Sequence, residues 1–197
     1  WQGQLVGQQG DFSCYSFNEF KHLSCGDGGI TATNDDELGQ GLSKWGDKHY
    51  DRVKGGRSPE TLSPNYRITE PQSAVAFGQL AKHDDMIAHR IQLGRILRAG
   101  LAPIPGVQLQ PEREGDTHSY WFGMLRFDLS QFRVGRDTLV AALLAEGVVG
   151  GGGYLPTPVY GYPVFQNHDF FAGCWPLKDA GLTDMDYREA SCPVAEA

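Results

Sequence analysis

The sequence predicts a folded, globular protein of the α/β class, and three observations support this. Short segments of strand-like composition alternate along the chain with longer segments of helical periodicity. Turns rich in glycine and proline separate the two kinds of segment. Hydrophobic residues make up 40% of the 197 residues and aromatic residues 11%, which is enough to bury one sizeable core or two small ones.

The first part of the chain predicts two strands and a helix. Residues 12–17 alternate aromatic and small side chains, as in a short buried strand. Residues 26–29 read Gly-Asp-Gly-Gly and require a tight turn, after which residues 30–33 predict a second strand. Residues 34–37 combine polar cap residues with acidic residues in a first turn, so a helix is expected from there to about Trp45.

A long loop and a long helical segment come next. Residues 46–64 are polar, contain several glycines and prolines and have no apolar period, so they predict a loop. Thr69 is followed three residues later by Gln72, which is the pattern of a capping box at a helix start. The helical pattern then continues to about Ala99, with an expected break near residues 83–85. The expected buried stripe of this segment is apolar: Val75, Leu80, Ile87, Ile91 and Leu97.

A change of composition at residues 100–111, which are rich in proline and glycine, predicts a domain boundary near residue 100. One domain would then cover residues 1–99 and a smaller α/β domain residues 100–197. The chain begins without methionine and ends just after a helix start at Pro193, so we expect a fragment of a longer reading frame.

The smaller domain is predicted to contain at least one strand and one helix. Residues 119–127 give the clearest strand pattern of the chain. Residues 136–146 predict a helix, and residues 148–149 a return toward a sheet. The inward residues of that helix would be Val140, Leu143 and Leu144. Residues 154–187 are rich in proline, glycine and aromatic residues and are expected to form an ordered covering segment.

Charge and composition indicate a small-molecule partner. The net charge of -7 disfavours binding of nucleic acid or anionic lipid. The apolar runs are too short to span a bilayer and no secretion leader opens the chain, so a cytoplasmic protein is expected. The four cysteines match neither a zinc pattern nor a disulfide framework, which predicts free thiols. No metal is predicted, because the spacing of His83 and His89 does not place them on one helix face.

Lys21 is the main candidate for chemistry. A lysine forms a Schiff base with an aldehyde only when part of it is unprotonated, which requires a partly desolvated site or a nearby cation. Lys21 follows an apolar strand and precedes the glycine turn, where a side chain can reach a cleft. From these residues alone, a lysine whose stem lies on apolar neighbours and whose ammonium reaches solvent stays the alternative.

Residues 16–29 read Ser-Phe-Asn-Glu-Phe-Lys-His-Leu-Ser-Cys-Gly-Asp-Gly-Gly. They resemble the lysine motif of the DegT/DnrJ/StrS family of sugar aminotransferases, in which Ser-Phe precedes the Schiff-base lysine and an acidic-Gly-Gly turn follows. Residues 33–38 fit the next strand and helix of that family, and residues 65–80 fit its second signature. The resemblance implies part of the large domain of a pyridoxal-phosphate-dependent transferase with the aspartate-aminotransferase-like fold, followed by a smaller domain.

The resemblance also implies pyridoxal 5′-phosphate (PLP) as cofactor and assigns roles to four residues. Lys21 would hold the cofactor and act as general acid and base, and Ser16 would donate its hydroxyl to the cofactor phosphate. Asn65 would reach the phosphate in the neighbouring subunit's site, which makes a homodimer part of the mechanism. Arg67 would hold a substrate carboxylate. From the residues alone, Asn65 and Arg67 precede a helix N-terminus, which favours anions, although a plain turn is the alternative.

The implied activity is transfer of an amino group from glutamate or glutamine to a nucleotide-linked keto-sugar or a keto-cyclitol. One alternative is a sugar dehydratase-like enzyme of the same fold, although such relatives typically carry histidine in place of the lysine. Another is a non-catalytic ligand-binding or scaffold member. Lys54 and Arg57 would either meet a nucleotide-sugar diphosphate or be solvated loop charges. As a fragment, the chain is expected to be inactive and to expose apolar surface.

Overall fold

The computed structural model describes residues 1–196, which fall into two compact units, Trp1–Phe132 and a second unit beginning at Arg133. The boundary expected near residue 100 refers to the large and small domains of the family and stays a prediction. Among the described residues, none of the helices combines the length and the apolar character needed to cross a bilayer. The four cysteines are free thiols in the structure.

The first unit begins with an antiparallel hairpin of β1 (Ser13–Ser16) and β2 (Gly29–Ala32), in which Ser16 lies opposite Gly29. Both strands were predicted, and the loop between them carries Lys21. A Cβ atom on Gly29 would lie 2.7 Å from the carbonyl oxygen of Tyr15, so this close approach of the two strands requires glycine.

Helix α1 (Asp36–Gly46) follows, within a residue of its predicted end. Asp35 is its N-cap, and the carboxylate of Asp35 accepts a hydrogen bond from the backbone N–H of Leu38 at 2.9 Å. Acidic residues in the first turn and Lys44 in the last turn complement the helix dipole. Local capping chemistry therefore explains where α1 begins, as the sequence predicted.

Two helices, α2 (Glu70–Leu80) and α3 (His83–Leu101), correspond to the predicted helical segment and its break. The capping box is present. The backbone N–H of Gln72 donates to the hydroxyl of Thr69, and the backbone N–H of Thr69 donates to Oε1 of Gln72. Both hydrogen bonds satisfy N–H groups that the first turn of a helix leaves without partners.

The predicted buried stripe of these helices is wrong in three of its five residues. The exposed fractions of Val75, Leu80 and Leu97 are 50%, 56% and 41%, whereas Ile87 and Ile91 are half-buried. A helix face is buried only when another layer covers it. The described residues supply two sheets of two strands each, which is too little to cover both helices.

The first unit ends with an antiparallel pair, β3 (Val107–Leu109) and β4 (Leu125–Phe127). The strand predicted here is wrong for residues 119–124, which lie outside β4. The cause is Tyr120, whose backbone is left-handed with φ of 51° and whose ring is buried against α3. The ring fits because α3 has Gly94 at the contact, where a Cβ atom would lie 2.4 Å from the ring.

The second unit contains α4 (Arg136–Ala145), close to its predicted bounds. Val140 and Leu143 are half-buried as expected, but Leu144 is 48% exposed. The predicted return to a sheet at residues 148–149 is wrong, since no strand forms there and Val149 is fully exposed. Three short helices complete the unit: α5 (Pro163–Gln166), α6 (Pro176–Asp179) and α7 (Pro193–Glu196).

An aromatic cluster orders the tail of the second unit. Trp175 is buried and stacks on Tyr187 with ring centroids 5.5 Å apart. Phe165 and Phe170 contact the same cluster edge-on, with centroids 5.4 Å apart. The side-chain amide of Gln166 donates to the carbonyl oxygen of Tyr187 at 3.1 Å. An ordered tail was predicted, and these contacts order it in addition to the short helices α5 and α6.

Large apolar side chains are exposed in both units of the chain, including Phe77 at 79% and Val149 at 100%. The buried hydrophobic residues among those described are only four: Cys25, Leu109, Tyr120 and Trp175. This confirms the expected exposure of apolar surface.

Candidate active site

The loop that carries Lys21 is closed by backbone hydrogen bonds. The N–H of Phe17 donates to the carbonyl of Gly28 at 2.8 Å, and the N–H of Cys25 donates to the carbonyl of Phe17 at 3.0 Å. Within this frame the N–H of Lys21 donates to the carbonyl of Asn18 at 2.9 Å, which forms a turn. These hydrogen bonds fix the backbone at Lys21, whose residue is half-buried.

The ammonium of Lys21 lies on the face of an indole ring. Its Nζ atom is 3.4 Å from the ring centroid of Trp121, a cation–π contact that contributes on the order of 0.5–2 kcal/mol. The Nε1–H of Trp121 donates to the carbonyl of Phe20 at 2.8 Å, which holds the ring over the lysine loop. Among the described residues no carboxylate pairs with Lys21, so its amine is held without an ion pair.

The sequence did not identify Trp121, because residues 119–127 have the composition of a strand. Its position follows from the neighbouring Tyr120. Arg90 donates to the carbonyl of Tyr120 at 3.2 Å, and the hydroxyl of Tyr120 donates to Glu112 at 3.3 Å. These contacts fix the left-handed backbone at Tyr120 and so direct Trp121 toward Lys21.

His22 follows Lys21 in the loop and is half-buried. Burial, and secondly the positive charge of Arg90, hold the pKa of His22 below its ordinary value. The Nε2 atom of His22 is buried without a hydrogen-bond partner among the described residues. Its surroundings in the folded protein therefore favour the neutral form of the His22 imidazole.

Ser16 lies at the end of β1, just before the lysine loop. Its side chain is exposed, and its oxygen accepts a hydrogen bond from the backbone N–H of Asn18 at 3.3 Å. Because that contact uses the oxygen as an acceptor, the hydroxyl proton stays available for an anion. Ser16 thus lies just before the short turn formed by residues 18–21, and Lys21 lies at the end of that turn.

Asn65 and Arg67 are brought together at the end of the long loop. The Nε–H of Arg67 donates to Oδ1 of Asn65 at 3.2 Å and lies 3.2 Å from Oδ1 of Asp47. Asp47 is only 5% exposed. Hydrogen bonds from Arg52 at 2.7 Å and from Lys48 at 2.8 Å hold the pKa of Asp47 far below its usual range.

Sequence reasoning missed Asp47, because in the sequence it is one polar residue in a polar loop. A weak signal was present. The segment 47–57 contains several basic residues close to acidic ones, which is typical of ion-paired loops. Lys54 and Arg57 of the same segment are exposed.

A hydrogen bond joins the two motifs. The side-chain amide of Gln72, which also caps α2, donates to the carbonyl of Asp27 at 2.8 Å. Asp27 belongs to the glycine turn that follows Lys21 in the lysine motif. The start of α2 and the turn behind Lys21 are therefore fixed to each other.

The predicted site residues do not all surround one cavity. An open groove of about 1180 Å³ runs between the hairpin and α1, and Tyr15, Ile30, Leu42 and Tyr66 are among its lining residues. Arg67 also lines it, whereas Lys21, Ser16 and Asn65 do not. Among the described residues, no hydrogen bond or ion pair connects Ser16 or Lys21 with Asn65 or Arg67. No group of three or more His, Cys, Asp or Glu within residues 1–196 is arranged to hold a metal ion.

The fold of the chain is similar to that of solved enzyme structures, and its sequence matches one aminotransferase family. The structure superimposes with a TM-score of 0.73 on DesV of S. venezuelae, solved in complex with a ketimine intermediate; the two are 28% identical, and the match covers 92% of this chain and 47% of that one. A 3-amino-5-hydroxybenzoic acid synthase matches with a TM-score of 0.64 and 26% identity over 75% of this chain and 39% of that one. Residues 1–176 match the DegT/DnrJ/EryC1/StrS aminotransferase family, and the chain belongs to this family.

Similar relatives carry one designation, L-glutamine:3-amino-2,3-dideoxy-scyllo-inosose aminotransferase. The protein from Streptomyces kanamyceticus is 33% identical over 175 residues, which cover 84% of this chain and 40% of the relative. The protein from Micromonospora echinospora is 32% identical over an alignment of 204 residues, gaps included. This alignment covers 100% of this chain and 47% of the relative. The chain therefore spans less than half the length of these relatives.

Proposed function

We propose that the protein is a PLP-dependent aminotransferase that moves an amino group from glutamine or glutamate to a keto-cyclitol, with a nucleotide-linked keto-sugar as the alternative acceptor. Membership of the DegT/DnrJ/EryC1/StrS family supports amino transfer. The observation that carries the proposal is Lys21: it occupies the lysine position of the family motif, and its amine is held by Trp121 without a carboxylate partner.

The residues present fit PLP. A lysine that must bond to an aldehyde has to be able to leave its resting contact, and a cation–π contact is easier to leave than a buried ion pair. Ser16 has a hydroxyl proton to give to a phosphate, and Asn65 has an exposed side chain. When bound, PLP supplies an electron sink for loss of a proton from the carbon that carries the amino group.

Lys21 supplies the acid–base chemistry in this proposal. After its amine leaves the face of Trp121, Lys21 would accept the proton from the amino-bearing carbon. It would then donate that proton to the cofactor carbon. The ring of Trp121 covers one side of the Lys21 amine and excludes water from that side.

The phosphate and the substrate are held by the remaining residues. Ser16 donates its hydroxyl to the phosphate, and Asn65 donates its amide to the phosphate in the neighbouring subunit of a homodimer. Arg67, whose side chain is 53% exposed, has a free edge of its guanidinium for a substrate carboxylate. A cytoplasmic location stays a prediction.

The acceptor class rests on the relatives. Their shared designation specifies glutamine as donor and a cyclitol ketone as acceptor. A dehydratase of the same fold is the alternative reaction, and Lys21 in the motif favours amino transfer over it. Glutamine turnover with a keto-cyclitol would separate the two reactions.

Borohydride trapping on the full-length protein tests the proposal. The protein is incubated with PLP, reduced and digested, and the peptides are mapped by mass spectrometry, with Lys21→Ala as the control. We expect label on Lys21 in the wild type and none on the variant. Absence of label on a folded wild-type protein would contradict a PLP enzyme and would favour the binding or scaffold role.

A further inference from the structure

Asp47 is a buried carboxylate surrounded by three basic side chains. Arg52 Nε lies 2.7 Å from it, Lys48 Nζ 2.8 Å and Arg67 Nε 3.2 Å. Three positive charges face one negative charge, so the cluster keeps an excess of positive charge. A buried carboxylate requires such partners, and Arg67 is the member that also contacts a predicted cofactor residue, Asn65.

The backbone places Asp47 directly beside Asn65. Asp47 and Asn65 form an antiparallel bridge, in which the N–H of Lys48 donates to the carbonyl of Pro64 at 2.9 Å. Lys48 and the next residue, His49, both have left-handed backbones, with φ of 54° and 57°. Residues with a Cβ atom rarely adopt this conformation. The ion pairs of Asp47 therefore hold together a turn that is unfavourable by itself.

Arg67 sets the orientation of the Asn65 amide. A guanidinium has only donors, so the group that faces Nε of Arg67 at 3.2 Å has to be the amide oxygen of Asn65. The NH₂ group of Asn65 is then left to donate elsewhere. An NH₂ donor next to an excess of positive charge suits a phosphate group.

We propose that Asp47 is a positioning residue for phosphate binding: through Arg67 it orients Asn65 so that the amide NH₂ donates to the phosphate of PLP in the neighbouring subunit. This inference rests on the proposed function. Nε of Arg67 contacts Asn65 and Asp47. The rest of the Arg67 guanidinium is then available for the substrate carboxylate.

The test compares PLP with pyridoxal, which lacks the phosphate, as ligands of the cofactor-free full-length protein. Binding is followed by absorbance for wild type, Asp47→Asn and Asn65→Ala. We expect Asp47→Asn to weaken PLP binding roughly tenfold, as for loss of a charge-assisted hydrogen bond, and pyridoxal binding by less than about twofold. The double variant Asp47→Asn/Asn65→Ala should bind PLP no more weakly than Asn65→Ala, because both changes remove one interaction.

Two further variants make the test specific. Asp51→Asn is the matched control, since Asp51 is a carboxylate of the same loop that pairs with Lys44 at 3.4 Å; its preference for PLP over pyridoxal should equal that of the wild type. If Asp47→Asn does not fold, Arg67→Met removes the guanidinium, keeps the stem and should show the same phosphate-selective loss.

The outcomes separate the two proposals. A wild-type protein that does not bind PLP contradicts the proposed function. If the wild type binds PLP but Asp47→Asn or Arg67→Met weakens PLP and pyridoxal equally, the positioning role is wrong and the function stands. Additive losses in the double variant would overturn the positioning role in the same way.

Discussion

At the scale of single residues, two neighbours define the surroundings of Lys21. Trp121 holds the ammonium of Lys21 at 3.4 Å from its ring centroid without supplying a counter-charge. His22 lies next to it, and burial together with the charge of Arg90 lowers the pKa of His22. Both features leave Lys21 as the single positive charge of its loop.

The lowered pKa of His22 predicts a dependence of stability on pH. The unfolded chain binds a proton at His22 more readily than the folded protein does. The free energy of unfolding is therefore higher above about pH 6.5, and it decreases as the pH falls from there toward the lower pKa of His22 in the folded protein. Denaturant unfolding of the full-length protein at pH 7.5 and pH 5.5 measures the loss. His22→Gln should show a smaller difference between the two pH values than the wild type.

His89→Gln is the control for this measurement, because His89 is exposed on α3. It should keep the pH dependence of the wild type. Equal pH dependence in His22→Gln and the wild type would show that burial of His22 is not linked to stability.

At the scale of elements, α3 controls where Trp121 lies. The absence of a side chain at Gly94 lets the ring of Tyr120 lie against the helix, and the chain then turns Trp121 toward the lysine loop. The hydrogen bond from Gln72 to Asp27 similarly connects α2 with the turn behind Lys21. Contacts from two helices thus support the lysine loop.

Gly94→Ala should destabilise the full-length protein by about 1–3 kcal/mol, because the new Cβ atom would lie 2.4 Å from the ring of Tyr120. The same change should shift the tryptophan fluorescence, as Trp121 moves with Tyr120. Thermal and denaturant unfolding measure the first effect, and emission spectra measure the second.

Gly100→Ala is the matched control in the same helix. A Cβ atom at Gly100 meets nothing within 4 Å, so this change should be neutral or stabilise by up to about 1 kcal/mol through helix propensity. If Gly94→Ala were as stable as Gly100→Ala, the close contact between Tyr120 and α3 would be contradicted.

At the scale of the whole molecule, exposed apolar surface dominates. Large apolar side chains on both α2 and α3 are exposed, including Phe77 at 79% and Ile96 at 61%. Soluble monomers rarely leave large apolar patches uncovered. The two helices therefore need a further layer before they can form a stable core.

The 197-residue chain expressed alone is therefore expected to associate and to bind a hydrophobic dye such as ANS. Light scattering after size exclusion should show a mass that increases with concentration, and calorimetry should show a broad, weak transition. A monomer with a sharp transition and no dye binding would show that the exposed faces do not need covering. The full-length protein is the control and should bind less dye per mole.

The sequence by itself determined the local features of this protein. The positions of β1, β2 and α1 and the start of α2 followed from alternation, glycine turns and capping residues, because these signals act over a few neighbouring residues. The lysine motif around Lys21 was also visible, since its residues are contiguous and the family match over residues 1–176 includes it.

The tertiary structure alone decided which distant residues meet. Trp121 reaches Lys21 only because Tyr120 adopts a left-handed backbone that a strand-like sequence does not indicate. Asp47 meets Asn65 only through the pairing of two ends of a polar loop. Burial of Val75 and Leu80 was predicted from periodicity and is not seen, because a helical period shows which face is apolar and not whether another layer covers it. Contacts between residues far apart in the chain depend on the balance of packing and loop closure, which no local pattern records.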